Sequence, residues 1–308
     1  MKKAISISIG SSVRDKHVIV NLLGEQVEIS RVGTNGDIEK AAQMFKDLDG
    51  KVDAFGVGGT DLGLYVDNKW YRLHSVAKLV KDVHITPVAD GCGLKTTLES
   101  NCAQFLEQEI GGYLDQVGRR VLITAAVDRF GSARSFVDAG YDCTFGDLMF
   151  ALGVAVPMRS IKQAKLMAAV LIPIVTHLPF EWVYPTGESQ HQRTPKFTQH
   201  FQAASVIAGD CHYITRYMPD DLSGKVIVTN TTTPDDVALF TQAGVKYLVT
   251  TTPVLEGRSF GTNMMEAALL AAIGYKKPVD YNNAEAYFAL MADLVKQVGL
   301  QPTLRMLN

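Results

Sequence analysis

The stretch from Arg120 to Asp147, RVLITAAVDRFGSARSFVDAGYDCTFGD, limits the fold more than any other part of the chain. An apolar, β-rich run from Val121 to Val127 enters a loop at Asp128-Arg129-Phe130-Gly131. A short amphipathic segment then reaches Gly140, and a second short run ends at Asp147. This is the outline of a β-α-β unit whose first turn would hold a nucleotide phosphate. A loop that feeds a helix N-terminus aims free backbone N–H groups and the positive end of the helix dipole at an anion. Asp128, Arg129, Gly131 and Ser132 are therefore expected around a cofactor, and Asp147 is placed to accept a hydrogen bond from a ribose hydroxyl. Only Gly131 of the three glycines in G-x-G-x-x-G is present, so an ordinary strand-helix-strand without a ligand is the alternative.

The same rhythm extends to both sides. Ala4 to Ile9 alternates apolar and serine residues and breaks at Gly10-Ser11-Ser12, where Ser11 and Ser12 either line a polar site or turn the chain. Val18 to Ile29 supplies a helix or strand around Gly24. Asp37 caps a helix carried by Ile38, Ala41, Ala42, Phe45 and Leu48 that stops at Gly50. The buried strand Val52 to Val57 opens into Gly58-Gly59-Thr60-Asp61, where a ligand can approach the backbone, with Thr60 and Asp61 as binding candidates. A turn into a hairpin through Asp67-Asn68 is the alternative there. In ITPVADGCGLKTTLESNCAQFLEQEIGG a short strand, a glycine-rich turn and a long helix follow one another, and Asp90 at the strand end faces a substrate cleft. In the last third, strands end at Asp210, at Asn230-Thr231 and at Thr251-Thr252, as expected for ligand binding at the carboxyl edge of a parallel sheet. Asp210, Asn230, Thr231 and Gly261 of the glycine loop before MMEAALLAAIG join the cofactor set. The Met264-Met265 pair belongs to a core.

These segments predict an α/β protein: an N-terminal α/β substrate domain over 1–96 and a Rossmann-like parallel-sheet domain over 97–283 that carries an apolar helical insertion at 150–200. A final helical segment, 284–308, packs back on the first domain. The chain's 308 residues suit two domains, and 47% hydrophobic with 20% charged residues suits packed cores. A net charge of −2 without a basic excess speaks against a nucleic-acid partner. Four cysteines without a C-x-x-C pair fit a reduced, cytoplasmic protein with neither a disulfide framework nor a zinc site, and MKKAISISIGSS lacks the apolar core of a signal peptide. Leu166 to Leu178 is nearly all apolar but is broken by Pro173 and bounded by His177 and Glu181, too short for a span of roughly 20 residues. It reads as a buried helix or a lid over an apolar ligand, with a peripheral membrane contact and a homodimer left open. PTGESQHQRTPKFTQH reads as a surface loop in which His191 and His200 are solvated, so no metal is expected.

The order of these motifs resembles the shikimate and quinate dehydrogenase family. That family's Asn-Thr-Asp-Gly-x-Gly stretch corresponds to Ala89-Asp90-Gly91-Cys92-Gly93-Leu94, and its glycine-rich turn to Val127 to Ala133. Its Gly-x-x-x-x-Gln-Ala-Ala corresponds to Gly261 to Ala268, with Glu266 replacing the glutamine. The resemblance implies that Asp90 is the carboxylate of a Lys/Asp catalytic pair, that Glu266 contacts substrate, and that NAD or NADP is bound. The family's lysine has no counterpart at Gly58-Gly59-Thr60-Asp61, and Lys95, one turn past Asp90, is the candidate replacement. A carboxylate at Glu266 would repel a carboxylate substrate, which argues against shikimate or quinate itself.

The leading expectation is thus an NAD(P)-dependent oxidoreductase acting on an alcohol or carbonyl of a small molecule. Asp90 and Lys95 would be catalytic, and Ser11, Ser12, Thr60, Asp61 and Glu266 would surround the substrate. Asp147 favours NAD, whereas Arg129 meeting a phosphate would favour NADP. The missing lysine and glycines favour a non-redox ligand-binding or regulatory protein on the same scaffold. A third reading keeps an enzyme but gives it an apolar, membrane-associated substrate under a lid at Leu166 to Pro185. No G-x-S-x-G or Cys/His arrangement points to a hydrolase.

Overall fold

Val121, Leu122 and Ile123 are at most 1% exposed, so the apolar run that opens the β-α-β stretch is an interior strand. The computed structural model describes residues 1–177, 193–252, 254–255 and 258–308. Its first third holds β1 Lys2–Ser8, β2 Lys16–Leu22, β3 Glu25–Gly33, α1 Ile38–Leu48, β4 Ala54–Gly58, the hairpin β5 Gly63–Val66 and β6 Lys69–Arg72, α2 His74–Ala77 and β7 Val88–Ala89. There follow α3 Cys92–Thr97, α4 Cys102–Val117, β8 Arg120–Ile123, α5 Phe130–Asp138, β9 Asp142–Phe145, α6 Asp147–Leu152, α7 Ile161–Val175 and α8 Thr198–Ala203. The remainder is β10 Val206–Gly209, α9 Cys211–Tyr217, β11 Val226–Thr229, α10 Pro234–Gln242, β12 Tyr247–Thr250, β13 Val254–Leu255, β14 Arg258–Ser259, α11 Thr262–Ala272, α12 Glu285–Val298 and β15 Thr303–Met306. The fold is α/β in two units, as the sequence leads one to expect.

The first unit comprises Met1–Leu94, Val170–Gln190 and Gly261–Gly299. Its sheet runs β2-β3-β1-β4-β7, parallel except for β2, which forms a hairpin with β3 around Leu23 and Gly24. α1 begins where Asp37 accepts a hydrogen bond from the Lys40 N–H, and it buries Ala41 and Phe45 against Ile7, Phe55 and Val57. α11 packs along β1, β3 and β4, with every residue from Met264 to Ala272 buried. This corrects the expected boundary, which placed 261–283 in the nucleotide-binding domain. A helix buried along nearly its whole length needs an uncovered sheet face, and the first sheet supplies that face. The end of the chain needs a matching correction. α12 ends at Gly299 in a left-handed cap, and Leu300–Asn308 belongs to the second unit, where β15 pairs antiparallel with β12.

The second unit comprises Lys95–Ala169, His191–Phe260 and Leu300–Asn308. Its sheet runs β15-β12-β11-β10-β8-β9, all parallel apart from β15. Leu122, Ile207, Ile227 and Leu248 enter one core, while Val121, Ile123, Val206, Ala208, Val226, Val228 and Val249 enter another. That period-2 division buries both faces of the sheet, which is why the strands read as continuous apolar runs. Because β8 lies between β9 and β10, the connections leave it in opposite directions, and the carboxyl ends of β8 and β10 flank the switch point where open α/β sheets take ligands.

The insertion after β9 contains α6, α7 and α8. α7 tucks Ala164, Ala168 and Ile172 inward, yet Leu166, Val170 and Ile174 are 68%, 56% and 60% exposed, so the expected buried helix presents an apolar face outward. The rest of the expected lid, 178–185, and the part of the polar stretch through His191 lie outside the described residues. Among the described residues no helix is long and apolar enough to cross a membrane.

Candidate functional site

At the switch point of the second unit the structure places a buried charge cluster. Arg129, the residue before α5, is 5% exposed. Its Nη1 donates to Glu99 Oε1 at 2.5 Å, its Nη2 donates to Asp210 Oδ2 at 3.3 Å, and its Nε lies 3.6 Å from Asp128 Oδ2. Lys95 Nζ donates to Asp128 Oδ1 at 2.6 Å. Thr251 Oγ1 donates to Glu99 Oε1 at 2.9 Å, and Asn230 Nδ2 donates to Asp210 Oδ2 at 2.8 Å. Burial works against the Arg129 charge, but Glu99, Asp128 and Asp210 outweigh it and hold the guanidinium protonated. Burial likewise works against the Asp210 carboxylate, and Arg129 keeps its pKa below the ordinary value. The cations lie behind the acids: the side chains of Lys95 and Arg129 are 11% and 6% exposed, those of Asp128 and Asp210 26% and 20%.

Asp147 stands at the carboxyl end of β9, next to this cluster in the chain's topology. Its Oδ1 accepts the Val127 N–H at 2.8 Å, tying it to the loop after β8, whereas the buried Oδ2 has no hydrogen-bond partner among the described residues. Burial pushes its pKa up to about 6 against the hydrogen bonds from the loop amides. An acid at this strand end stands where open α/β sheets hold a ribose hydroxyl, although Oδ2 itself is closed to solvent. The residues therefore fit the nucleoside part of a dinucleotide. For its diphosphate the donors left are backbone amides in the first turn of α5, since Arg129 is engaged by acids.

Gly131 has a different role from the one expected of a phosphate-loop glycine. A Cβ there would sit 2.4 Å from Lys95 O and 3.3 Å from Thr96 Cα, so the glycine permits α5 to pack against that backbone. Ser132 is buried, and its carbonyl accepts from Ser135 Oγ. Thr231 is half-buried beside Asn230. Gly261 leaves the cofactor set, because it is the residue preceding α11 in the first unit.

The first unit holds a second network. Asp90 is 2% exposed at the carboxyl end of β7, and its oxygens accept from Leu62 N at 2.9 Å, Cys92 N at 3.0 Å and Tyr281 Oη at 2.8 Å. Glu266 on α11 is fully buried and accepts from Leu94 N at 2.9 Å and Tyr287 Oη at 2.6 Å, with Tyr281 Oη 3.5 Å away. Burial, and then the Asp90 charge, push Glu266 up to about 7. The same burial and charges raise Tyr281 and Tyr287 well above the ordinary tyrosine value. Glu266 is therefore a support beneath α3 and Asp90 rather than a residue facing substrate, which corrects the role the resemblance implies. A Cβ on Gly91, at φ +94°, would meet Thr262 Oγ1 at 2.4 Å, so β7 can approach α11 only with glycine there.

The other expected substrate residues lie at the carboxyl ends of β1 and β4. Ser11 Oγ accepts from Val13 N, Ser12 N donates to Asn35 Oδ1, and Ser12 Oγ accepts from Asn35 Nδ2. Thr60 is buried and Asp61 half-buried. Lys95 is assigned to the second unit, where its Nζ donates to Asp128, and Asp90 to the first, where it accepts from Tyr281 Oη. Glu99, Tyr281 and Tyr287 escaped the sequence reading, for each is a single polar residue in a helical stretch with no local signature. Thr251 stands in the sequence as a polar strand end. All four cysteines are buried, and among the described residues no group of three or more His, Cys, Asp or Glu could hold a metal.

Residues 93–307 match the family described as "Domain of unknown function (DUF8754)", and residues 3–90 match "Domain of unknown function (DUF8753)". No curated protein matches the chain. Among solved structures, a malic enzyme of Entamoeba histolytica is similar at 12% identity and a TM-score of 0.39, over 96% of this chain and 63% of that one. The chain thus spans less than two thirds of that enzyme's length. GanP, a glucose-galactose binding protein of Geobacillus stearothermophilus, is similar at 9% identity and a TM-score of 0.35, over 100% of this chain and 98% of that one. A Mycobacterium smegmatis protein in complex with β-D-fucofuranose is similar at 14% identity and a TM-score of 0.32, over 99% of each chain.

Proposed function

The chain belongs to the family described as Domain of unknown function (DUF8754), and we propose that it is an oxidoreductase that binds NAD on the second unit. The observation that carries this reading is Asp147, a buried carboxylate at the end of β9 with one oxygen on the Val127 N–H and the other without a partner. An acid at that strand end is where open α/β sheets hold a ribose diol. A 2'-phosphate would meet a carboxylate there, and Arg129, the cation that would otherwise receive it, is held by Glu99 and Asp210; both features favour NAD over NADP. When bound, the nicotinamide supplies or accepts a hydride. The chain's own part is to hold the ribose at Asp147, to receive the diphosphate at the first turn of α5, and to manage the substrate proton. Within the first unit, Asp90, whose Oδ1 accepts from the Tyr281 hydroxyl that fixes its orientation, is the carboxylate we assign to acid–base work. The substrate is a small alcohol or carbonyl compound.

A second reading, a non-redox binding protein, is favoured by the acids Asp128 and Asp210, which are the more exposed members of the cluster and oppose a diphosphate. Titration with NADH and NADPH, read by cofactor fluorescence, separates the two readings. The oxidoreductase reading expects NADH to bind more tightly than NADPH. It also expects Asp147→Ala to lose about 1.5–3 kcal/mol, or roughly 10- to 150-fold in Kd. Folded protein that binds neither cofactor would leave only the second reading.

A further inference from the structure

We infer that α7 is a docking element for the surface of an anionic membrane. Along Ile161–Val175, Lys162, Leu166, Val170 and Ile174 recur every fourth residue and so form one row on the helix. The three aliphatics are 68%, 56% and 60% exposed, while Ala164, Ala168 and Ile172 on the other side are at most 4% exposed. Three further exposed aliphatics, Leu152, Val154 and Val156, precede the helix, so half of the large hydrophobics exposed among the described residues fall between 152 and 174. Scattered apolar residues on a surface need no explanation, but a row on an ordered helix does.

Charge decides the occupant. From Leu148 to Phe180 the sequence contains no aspartate or glutamate, and its charged residues are Arg159, Lys162 and Lys165. Lys162 heads the apolar row, and Arg159 lies just before the helix and is exposed. Basic residues next to a bare aliphatic face match the two attractions an anionic bilayer offers, its negative surface and its acyl boundary. A second copy of the chain fits less well. It would bring the same basic residues with no acid in the segment to pair them, and a row spanning two turns is small beside the roughly 800 Å² per partner of a stable interface. Docking places the helix in the interface plane and spans nothing, in accord with its 15 residues.

The test uses the intact protein and vesicles of phosphatidylcholine with or without phosphatidylglycerol, followed by flotation. The expected result is flotation with the anionic vesicles only, reduced by salt. Val170→Asp and, separately, Lys162→Glu should each weaken it by roughly tenfold or more. Both positions are exposed, and unchanged circular dichroism shows that the variants fold. Equal flotation of wild type and both variants would overturn the inference, as would absence of flotation with either vesicle. So would a concentration-dependent dimer, abolished by Val170→Asp, in a protein that ignores vesicles; that outcome assigns the row to a second copy.

Discussion

Replacing Arg129 with methionine removes the cation from the most buried charge cluster of the second unit while keeping most of the side chain's volume. Glu99 would then be a fully buried carboxylate whose remaining donor is the Thr251 hydroxyl at 2.9 Å, with Oε2 already lacking a hydrogen bond. Asp210 is affected less, because it is 20% exposed and keeps the donors Asn230 Nδ2 and His212 N. Breaking a buried pair costs about 3–5 kcal/mol, against at most about 1 for a surface pair, because the partner's charge stays uncompensated. In a unit of this size that corresponds to a fall in Tm of roughly 6–20 °C. Arg129→Met combined with Glu99→Gln removes the stranded charge as well and should recover most of the loss. Thermal unfolding followed by circular dichroism, with hydrogen exchange at the β8 and β10 amides to locate the effect, measures both. A single variant that loses under about 1 kcal/mol, or a double variant no more stable than the single, would refute the account of the cluster as mutually dependent charges.

Glu266 makes stability depend on pH. Its folded value of about 7 stands above its ordinary 4.5, so the native state holds the proton to higher pH. The stabilising contribution is full below pH 4.5 and is lost as pH rises toward about 7, on the order of 3 kcal/mol in all. Urea unfolding across that window should show the decline, and Glu266→Gln should flatten it. Asp147 governs the ligand instead: NADH affinity should rise as pH increases through about 6, where the free carboxyl ionises, and Asp147→Asn should abolish that dependence in a titration series. Gly131→Ala should destabilise the second unit by about 1–3 kcal/mol through the clash with Lys95 O. Gly112→Ala, whose Cβ would meet nothing within 4 Å, should raise stability by up to about 1 kcal/mol in the same assay.

The sequence by itself determined the local elements and the fold class. The run Val121 to Ile123 and the Asp37 cap of α1 act through neighbours a few residues apart, and such signals survive in a linear reading. Asp147 and Asp210 were legible as strand ends for the same reason. Tertiary structure alone decided which units the later helices join and which charges meet. α11 follows β12 in the chain but packs on β1, β3 and β4, because a helix buried along nearly its whole length needs an uncovered sheet face. Glu99 reaches Arg129 across 30 residues, and Tyr281 reaches Asp90 across 191. Both contacts are dictated by burial, which forces polar groups to find partners regardless of separation, and a sequence pattern records separation alone.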